Sequence, residues 1–284
     1  MPLTSAVPPG AVARIKGVNI MLGIAKHKMA TVIAPPGPVP PLDWGLLDTL
    51  GFVTGLFIEG DTIILGKTNN LLSVSTDGGV TFGANQTGNV GRNDIPLVAF
   101  ASNGTSIICG SNYTKGSRSV DGGTTWITMS QMFAASPNSC VGIVHIEGDT
   151  FVALSHSSGA SIHMNAGNGA WTYLPDGLNA SGASGTSIAA MGNTVIALFK
   201  YGITSRSLNK GIDGWTALTT HGGGSAGTTG YIAAGDGIWV KAYTGQSAFY
   251  WSDDDGDTWT EVLIGADNIQ ALSLIHISEP TRPY

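Results

Sequence analysis

The stretch Ser119-Val-Asp-Gly-Gly-Thr-Thr-Trp126 recurs along the chain and decides its architecture. Ser75-Thr-Asp-Gly-Gly-Val-Thr-Phe82 and Ser252-Asp-Asp-Asp-Gly-Asp-Thr-Trp259 repeat the pattern, and two looser copies lead to Trp171 and Trp215. The closing aromatic residues stand at 82, 126, 171, 215 and 259, so the spacing is 44 or 45 residues. A period of roughly 40–45 residues is typical of four-stranded propeller blades.

A second marker runs in phase with the first. It is a glycine followed by Asp, Asn or Thr between two short apolar runs, which predicts a hairpin. Its copies are Gly60-Asp-Thr, Gly104-Thr-Ser, Gly148-Asp-Thr, Gly192-Asn-Thr and Gly235-Asp-Gly. We name the four strands of each repeat A to D, so that this hairpin joins A to B. Strand B is apolar on consecutive residues, which favours a strand that is covered on both faces.

These patterns predict an all-β protein, a β-propeller of four-stranded blades. Six blades are visible, because Gly17–Gly23 reads like Gly60–Gly66 and marks an irregular first blade. We expect an N-terminal extension over residues 1–10, a propeller over 11–271 with an incomplete last blade, and a non-native tail over 272–284. Leu272–Arg282 resembles the in-frame translation of a transposon-type sequencing-library adapter. A ring truncated from about seven blades is therefore expected.

The repeated phrase resembles the Asp-box of sialidase-like propellers. Turn chemistry explains the residue types, since Ser and Asp bond backbone N–H groups, Gly takes the turn dihedrals and the aromatic ring packs beneath. In that family the boxes are structural and lie opposite the active site. The resemblance therefore implies a structural role for the box residues. These are Ser75, Asp77, Gly79 and Phe82, Ser119, Asp121, Gly123 and Trp126, and Ser252, Asp254, Gly256 and Trp259.

Composition narrows the function classes. A net charge of −6 argues against a generic nucleic-acid binder. No apolar run is long enough to span a membrane, and Met1–Gly10 does not read as a signal peptide. The two cysteines, Cys109 and Cys140, favour buried free thiols, although a bridge between neighbouring blades is also open.

The charges sort between the two ends of the predicted blades. Strand alternation puts the A–B and C–D turns on one end, the C–D face, and the B–C and D–A connections on the other, the B–C face. Twelve of the nineteen acidic residues fall on the C–D face, whereas six of the eight lysines fall in or beside B–C connections. Turn chemistry alone accounts for such sorting. A weakly basic face that attracts an anionic ligand is the alternative interpretation.

The candidate ligand-binding residues combine cations with aromatic rings, a pairing that suits a sugar. They are Lys67, Tyr113, Lys115, His156, Lys200, Tyr201, Lys241 and Tyr243. In the sialidase-like family the ligand side is this same face. We expect a glycan or another anionic ligand, and we expect no metal, cofactor, nucleic acid or membrane insertion.

Catalysis is not indicated by the residues present. Sialidase-type chemistry uses an arginine triad, a tyrosine nucleophile helped by a glutamate, and a further acid. Here Arg14 and Arg92 are the available arginines, and Glu261 is the available glutamate. Asp94 and Asp176 leave a two-carboxylate glycosidase open.

We therefore expect a non-catalytic binding or structural module. A phage or prophage virion protein of the tail or fibre, with virion assembly partners, fits the composition. A sialidase-like or other glycoside hydrolase is the first alternative, and a scaffold or assembly factor with a broad apolar patch is the second.

Overall fold

The structure is a computed structural model. It describes residues 12–15, 18–23, 53–88, 90, 95–133, 139–156, 162–166, 171–174, 183–218, 229–263 and 271–275. For 12–15, 18–23, 162–166, 173–174 and 271–275 only the backbone is described.

The regular secondary structure of the described residues consists of strands and one 3-10 turn at Lys200–Gly202. The strands are β1 (Val12–Ile15), β2 (Val18–Gly23), β3 (Val53–Glu59), β4 (Thr62–Lys67), β5 (Leu71–Ser75), β6 (Gln86–Thr87), β7 (Leu97–Ser102), β8 (Ile107–Ser111), β9 (Lys115–Ser119), β10 (Ile127–Gln131), β11 (Ser139–Glu147), β12 (Thr150–His156), β13 (Ile162–Ala166), β14 (Thr172–Leu174), β15 (Gly185–Met191), β16 (Thr194–Phe199), β17 (Thr204–Ser207), β18 (Thr216–Leu218), β19 (Gly230–Gly235), β20 (Ile238–Tyr243), β21 (Ala248–Ser252), β22 (Thr260–Leu263) and β23 (Ala271–Ile275).

Five four-stranded antiparallel sheets follow one another along the chain, each in simple sequence order. We call them blade 1 (β3–β6), blade 2 (β7–β10), blade 3 (β11–β14), blade 4 (β15–β18) and blade 5 (β19–β22). The first strands of consecutive blades pack on one another. This arrangement confirms the predicted all-β propeller.

The sixth sheet differs from the other five. It has three strands in the order β1-β2-β23, with Asn19 opposite Ile275 and Gly23 opposite Ala271. The predicted count of six blades, the truncation from about seven and the tail over 272–284 stay predictions.

The predicted hairpins and buried strands are confirmed. Glu59 lies opposite Thr62, so Gly60 and Asp61 form a two-residue turn, and Gly60 takes the positive φ of 56° that such a turn needs. All residues of the second strands β8, β16 and β20 are buried, because each blade is covered by neighbours on both faces.

The core is divided into four clusters, one at each boundary between consecutive blades. The closing tryptophan of each repeat belongs to the boundary with the preceding blade: Trp126 packs with Ile64 of blade 1, and Trp215 with Val152 of blade 3. The residues that close the C–D turns therefore help to join neighbouring blades.

Candidate functional site: the B–C face

The C–D turns that carry the repeated Ser-x-Asp sequence, here called boxes, are held by one repeated hydrogen-bond pattern. In blade 2 the Ser119 hydroxyl accepts the N–H of Gly123 at 2.8 Å and lies 2.8 Å from Asp121 Oδ1. Asp121 in turn accepts the N–H of Thr125 at 2.8 Å and its hydroxyl at 2.6 Å. The Trp126 indole N–H donates to the carbonyl of Gly123 at 2.9 Å. The boxes that begin at Ser75 and Ser252 repeat these serine and aspartate bonds.

These bonds stabilise the ionised carboxylates. Hydrogen bonds from Thr81 and Ser75 lower the pKa of Asp77 to about 2, and those from Thr258 and Ser252 lower the pKa of Asp254 to about 2. Because the oxygens are used within their own turns, the geometry supports a structural role for the box carboxylates.

The looser box of blade 4 keeps the serine and changes the rest. Ser207 still accepts the N–H of Gly211, at 3.2 Å, but its hydroxyl now donates to the Asp213 carbonyl at 2.6 Å. Asn209 donates to Asp213 Oδ1 at 2.7 Å, and the Trp215 indole donates to Gly211 O at 3.1 Å. The inserted residue therefore moves the carboxylate without losing the turn.

Charge is sorted between the two ends of the blades, as predicted. Of the thirteen acidic residues in the described ranges, twelve lie in or next to A–B and C–D turns. The cations at that end are paired with acids: Arg206 Nη1 lies 2.7 Å from Asp257, and Lys210 Nζ lies 2.6 Å from Glu147. The described lysines at the B–C end are therefore separated from most of the acidic residues.

The eight predicted ligand residues differ in exposure. Tyr201 is exposed, at 47% of its full surface, and Tyr113, Lys115, His156 and Lys200 are half-buried. Lys67, Lys241 and Tyr243 are 3%, 0% and 0% exposed. The expectation that all eight lie on a surface was wrong for these last three, because their strands are covered by neighbouring blades.

Lys67 is buried because its own blade supplies its partners. It is the last residue of β4, and its Nζ donates to Ser73 Oγ at 2.7 Å and Asn85 Oδ1 at 2.5 Å. Burial lowers the pKa of Lys67. It therefore ties β5 to the segment before β6 instead of facing a ligand.

Four of the predicted residues come together at the boundary between blades 4 and 5. Lys200 and Tyr201 lie on the 3-10 turn that leads from β16 to β17. Beneath this turn, the Tyr243 hydroxyl lies 3.5 Å from Gly202 O and 3.4 Å from Thr204 Oγ1. Burial raises the pKa of Tyr243 to about 12, so this phenol keeps its proton.

Lys241 extends the buried group. It lies within β20, and its Nζ is 3.4 Å from Thr204 Oγ1 and 4.0 Å from the centre of the Trp259 ring. Burial lowers the pKa of Lys241 to about 7. Lys241 and Tyr243 thus support the turn that carries Lys200 and Tyr201.

The other predicted residues lie in separate connections. Tyr113 and Lys115 belong to the connection between β8 and β9, where the Ser111 hydroxyl donates to the Lys115 carbonyl at 2.7 Å. His156 ends β12 of blade 3. The B–C face is therefore a series of neighbouring turns, with the cluster around residues 200–202 as its best-supported part.

Sequence reasoning missed Gly202 and Thr204, which link the exposed turn to its buried support. A comparison of the B–C connections between repeats was the one signal in the sequence that could have found them, because the other connections carry other residue types. Their role depends on contacts with blade 5, which lie about forty residues away in sequence.

The residues considered for catalysis do not assemble in the described ranges. Only the backbone of Arg14 is described, and Arg92, Asp94 and Asp176 lie outside the described residues. Glu261 does meet a tyrosine, since Tyr250 Oη lies 3.1 Å from Glu261 Oε1. This pair joins the two outer strands of blade 5, and burial raises the pKa of Tyr250, whereas activation as a nucleophile needs a lower pKa.

The two cysteines are free and buried, as favoured by the sequence. A Cβ added at Gly110 would stand 2.6 Å from Cys140 Sγ, so Cys140 packs against the face of β8 to which residue 110 points. Cys109 precedes Gly110 and therefore points to the other face, where it packs with Ile64 and Trp126. A strand thus separates the two thiols.

The described residues contain no group of three or more His, Cys, Asp or Glu that could hold a metal ion. No helix among them is long and apolar enough to cross a membrane. Three exposed large apolar side chains, those of Val53, Leu56 and Ile58, share strand β3, whereas Ile127 and Leu263 stand singly on β10 and β22.

No protein-family model and no curated protein sequence matches the chain. Among solved structures, the chain is similar to YCF48 bound to D1 peptide, with a TM-score of 0.57 and 15% identity over 77% of this chain and 70% of that chain. It is also similar to the GH74 xyloglucanase from Xanthomonas campestris, with a TM-score of 0.57 and 13% identity over 74% and 38% of the two chains. An ancestral GH74 enzyme gives a TM-score of 0.55 and 14% identity over 75% and 33%.

At these identities the likeness concerns the fold. The chain spans about a third of the length of the GH74 proteins, and the similar structures include a peptide-bound protein as well as glycoside hydrolases. The likeness therefore supports the all-β propeller fold.

Proposed function

We propose that this chain is a non-catalytic propeller module that binds an anionic ligand, in particular an acidic glycan, on its B–C face. The separation of charge between the two ends carries the proposal. The C–D face holds twelve acidic residues, and Lys115 and Lys200 stand on the opposite face with part of their surface exposed.

The separation of charge between the two faces determines which face attracts an anion. An anion that approaches the C–D face meets net negative charge, because acids there outnumber the paired cations Arg118, Arg206 and Lys210. At the B–C face it meets lysines beside Tyr113 and Tyr201. A field of this kind raises the rate of encounter at one face and is weakened by salt.

The proposal leaves catalysis out, because the tyrosine–glutamate pair of the described residues lies on the outer strands of blade 5. A phage or prophage virion role, with virion assembly partners, stays a prediction that rests on composition alone.

The double variant Lys115→Ala with Lys200→Ala tests the proposal. Binding would be measured by calorimetry with hyaluronan tetrasaccharide, trigalacturonate and sialyllactose, with maltotriose as the neutral comparison. We expect weaker binding of the acidic sugars by about tenfold, from two lost charges at about 0.5–1 kcal/mol each, with a nearly unchanged thermal midpoint.

Lys210→Ala is the matched control, because Lys210 is paired with Glu147 on the C–D face. Equal binding of an acidic sugar by the double variant and the wild type would refute the proposal. Failure of the wild type to bind any of the four sugars would do the same.

A further inference from the structure

Tyr201 adopts a backbone conformation that tyrosine rarely takes. Its φ is 66° and its ψ is 20°, the left-handed region, and Gly202 follows with a φ of 74°. A side chain with a Cβ crowds its own backbone there, so a bulky residue in this region usually marks a constraint other than folding.

The backbone hydrogen bond at the start of this turn recurs in other blades, which supplies an internal comparison. In three blades the first residue of the B–C connection donates its N–H to a carbonyl just before strand A of that blade. The bonds are Asn112 N to Pro96 O at 3.0 Å, Lys200 N to Ser184 O at 2.9 Å and Thr244 N to Thr229 O at 2.9 Å. The residues that follow are therefore equivalent.

At this equivalent position blade 5 has Gly245, with a φ of 74°, and blade 2 has Tyr113, which does not take a positive φ. In blade 1, Asn69 is likewise the second residue after strand B and has a φ of 61°. Glycine and asparagine accept positive φ most readily. Blade 4 differs from blades 2 and 5, because Tyr201 combines a tyrosine with the positive φ and leaves nearly half of the side chain exposed. Local folding alone would favour glycine or asparagine at residue 201.

The surrounding contacts hold the turn in place. Phe199 N–H donates to Ile203 O at 2.9 Å and closes the turn, and the Tyr243 hydroxyl lies 3.5 Å from Gly202 O. Thr204 Oγ1 also lies 3.5 Å from Gly202 O. The backbone that carries Tyr201 is thus already ordered, so ligand binding need not pay for ordering it.

We infer that Tyr201 is a stacking platform for one pyranose ring of the ligand, with the Lys200 ammonium beside it for an acidic group of the same sugar. The inference rests on the proposed function and names the residue that orients the sugar. The face of an aromatic ring is negative and attracts the polarised C–H groups of a pyranose. A platform next to a cation thus favours acidic sugars over neutral ones.

The variants Tyr201→Asn and Tyr201→Phe test this role with the same four sugars. Asparagine fits the left-handed backbone, as at residue 69, but lacks the ring. We expect Tyr201→Asn to weaken binding of the acidic sugars by about tenfold or more and to leave the thermal midpoint unchanged or higher. Tyr201→Phe keeps the ring and should stay within about threefold of the wild type.

The outcomes separate this inference from the proposed function. If Tyr201→Asn binds as the wild type does while the Lys115 and Lys200 double variant is weakened, the platform is refuted and the basic face stands. A thermal midpoint that falls in Tyr201→Asn, with unchanged binding, also refutes the platform. If the wild type binds none of the sugars, both proposals are wrong.

Discussion

Lys241 carries an ammonium group into the boundary between blades 4 and 5, and replacing it with methionine tests what that charge does to folding. Its Nζ lies 3.4 Å from Thr204 Oγ1 and 4.0 Å from the centre of the Trp259 ring, and the side chain is fully buried. Burial lowers its pKa from 10.5 to about 7. Methionine keeps the length of the side chain and removes the charge.

The sign of the effect follows from proton binding. Below about pH 7 both the folded and the unfolded states hold the proton, so folding carries the full cost of burying it. Between about pH 7 and 10.5 the unfolded state holds the proton more tightly, so the stability of the wild type rises with pH.

The size of the effect comes from the same two pKa values. At about 1.36 kcal/mol for each pH unit between them, a pKa of about 7 against 10.5 gives a ceiling of about 5 kcal/mol. The attraction between the ammonium and the face of Trp259 offsets about 2 kcal/mol of this cost. A net cost of about 3 kcal/mol remains near neutral pH.

Urea unfolding of the wild type and Lys241→Met at several pH values measures this cost. We expect the variant to be more stable by about 3 kcal/mol near pH 6.5, with the difference falling to about half by about pH 9.5. Lys115→Met is the matched control, because Lys115 is half-buried at the start of β9. A difference between Lys241→Met and the wild type that is constant across this range would refute the argument, because groups that titrate in both proteins cancel.

Two further predictions concern the turns and the boundaries between blades. Ser119→Ala removes the acceptor of the buried Gly123 N–H and should lower the free energy of unfolding, measured in urea, by about 1–3 kcal/mol. Thr124→Ala, on the exposed part of the same turn, should change it by less than about 0.5 kcal/mol. Gly66→Ala puts a Cβ 2.7 Å from a backbone oxygen of blade 2 and should lower the free energy of unfolding by about 1–3 kcal/mol. At Gly235 an added Cβ meets no atom within 4 Å, so Gly235→Ala should leave the free energy of unfolding unchanged or raise it by up to about 1 kcal/mol. Equal effects within either pair would contradict the structure.

The turns and strands could be predicted from sequence because the interactions that specify them are local. In the box of blade 2, both the bond from Gly123 to Ser119 and that from Thr125 to Asp121 join residues four positions apart. A hairpin such as the one at Gly60 likewise needs two residues and the strands on either side. Such short-range chemistry repeats with the sequence and shows directly in its period.

The burial of Lys67, Lys241 and Tyr243 could not be predicted, since it depends on contacts that the period does not specify. Lys241 lies within the second strand of its blade, and Lys67 and Tyr243 are the last residues of such strands. At the end of a strand, a shift of one residue decides whether a side chain is covered by a neighbouring strand or exposed to solvent. The partner of Lys241 is Thr204, thirty-seven residues earlier and in another blade. The sequence placed Lys67 and Lys241 beside B–C connections. This is correct for the position of their backbone, but their side chains are buried and do not face solvent.

The pairing of β2 with β23 was also beyond the sequence pattern. It joins Asn19 to Ile275, so that the two ends of the described chain share one sheet. The first repeat is irregular and residues 272–275 do not follow the repeat, so neither marker indicated that these strands would pair.

Repetition gives this chain an internal standard for function. Where the described blades share the residue that the local backbone favours, folding explains that residue, as with Gly79, Gly123, Gly211 and Gly256 of the C–D turns. Where one blade departs from that residue and the departure has a local cost, folding does not explain it.

Tyr201 departs from Gly245 by taking a strained backbone, and Lys241 departs from apolar strand positions by burying a charge. Both departures fall at the boundary between blades 4 and 5, and Thr204 and Tyr243 connect them. Since two independent costs at one place are tolerated, we expect binding to depend on this part of the B–C face more than on any other connection in the described blades.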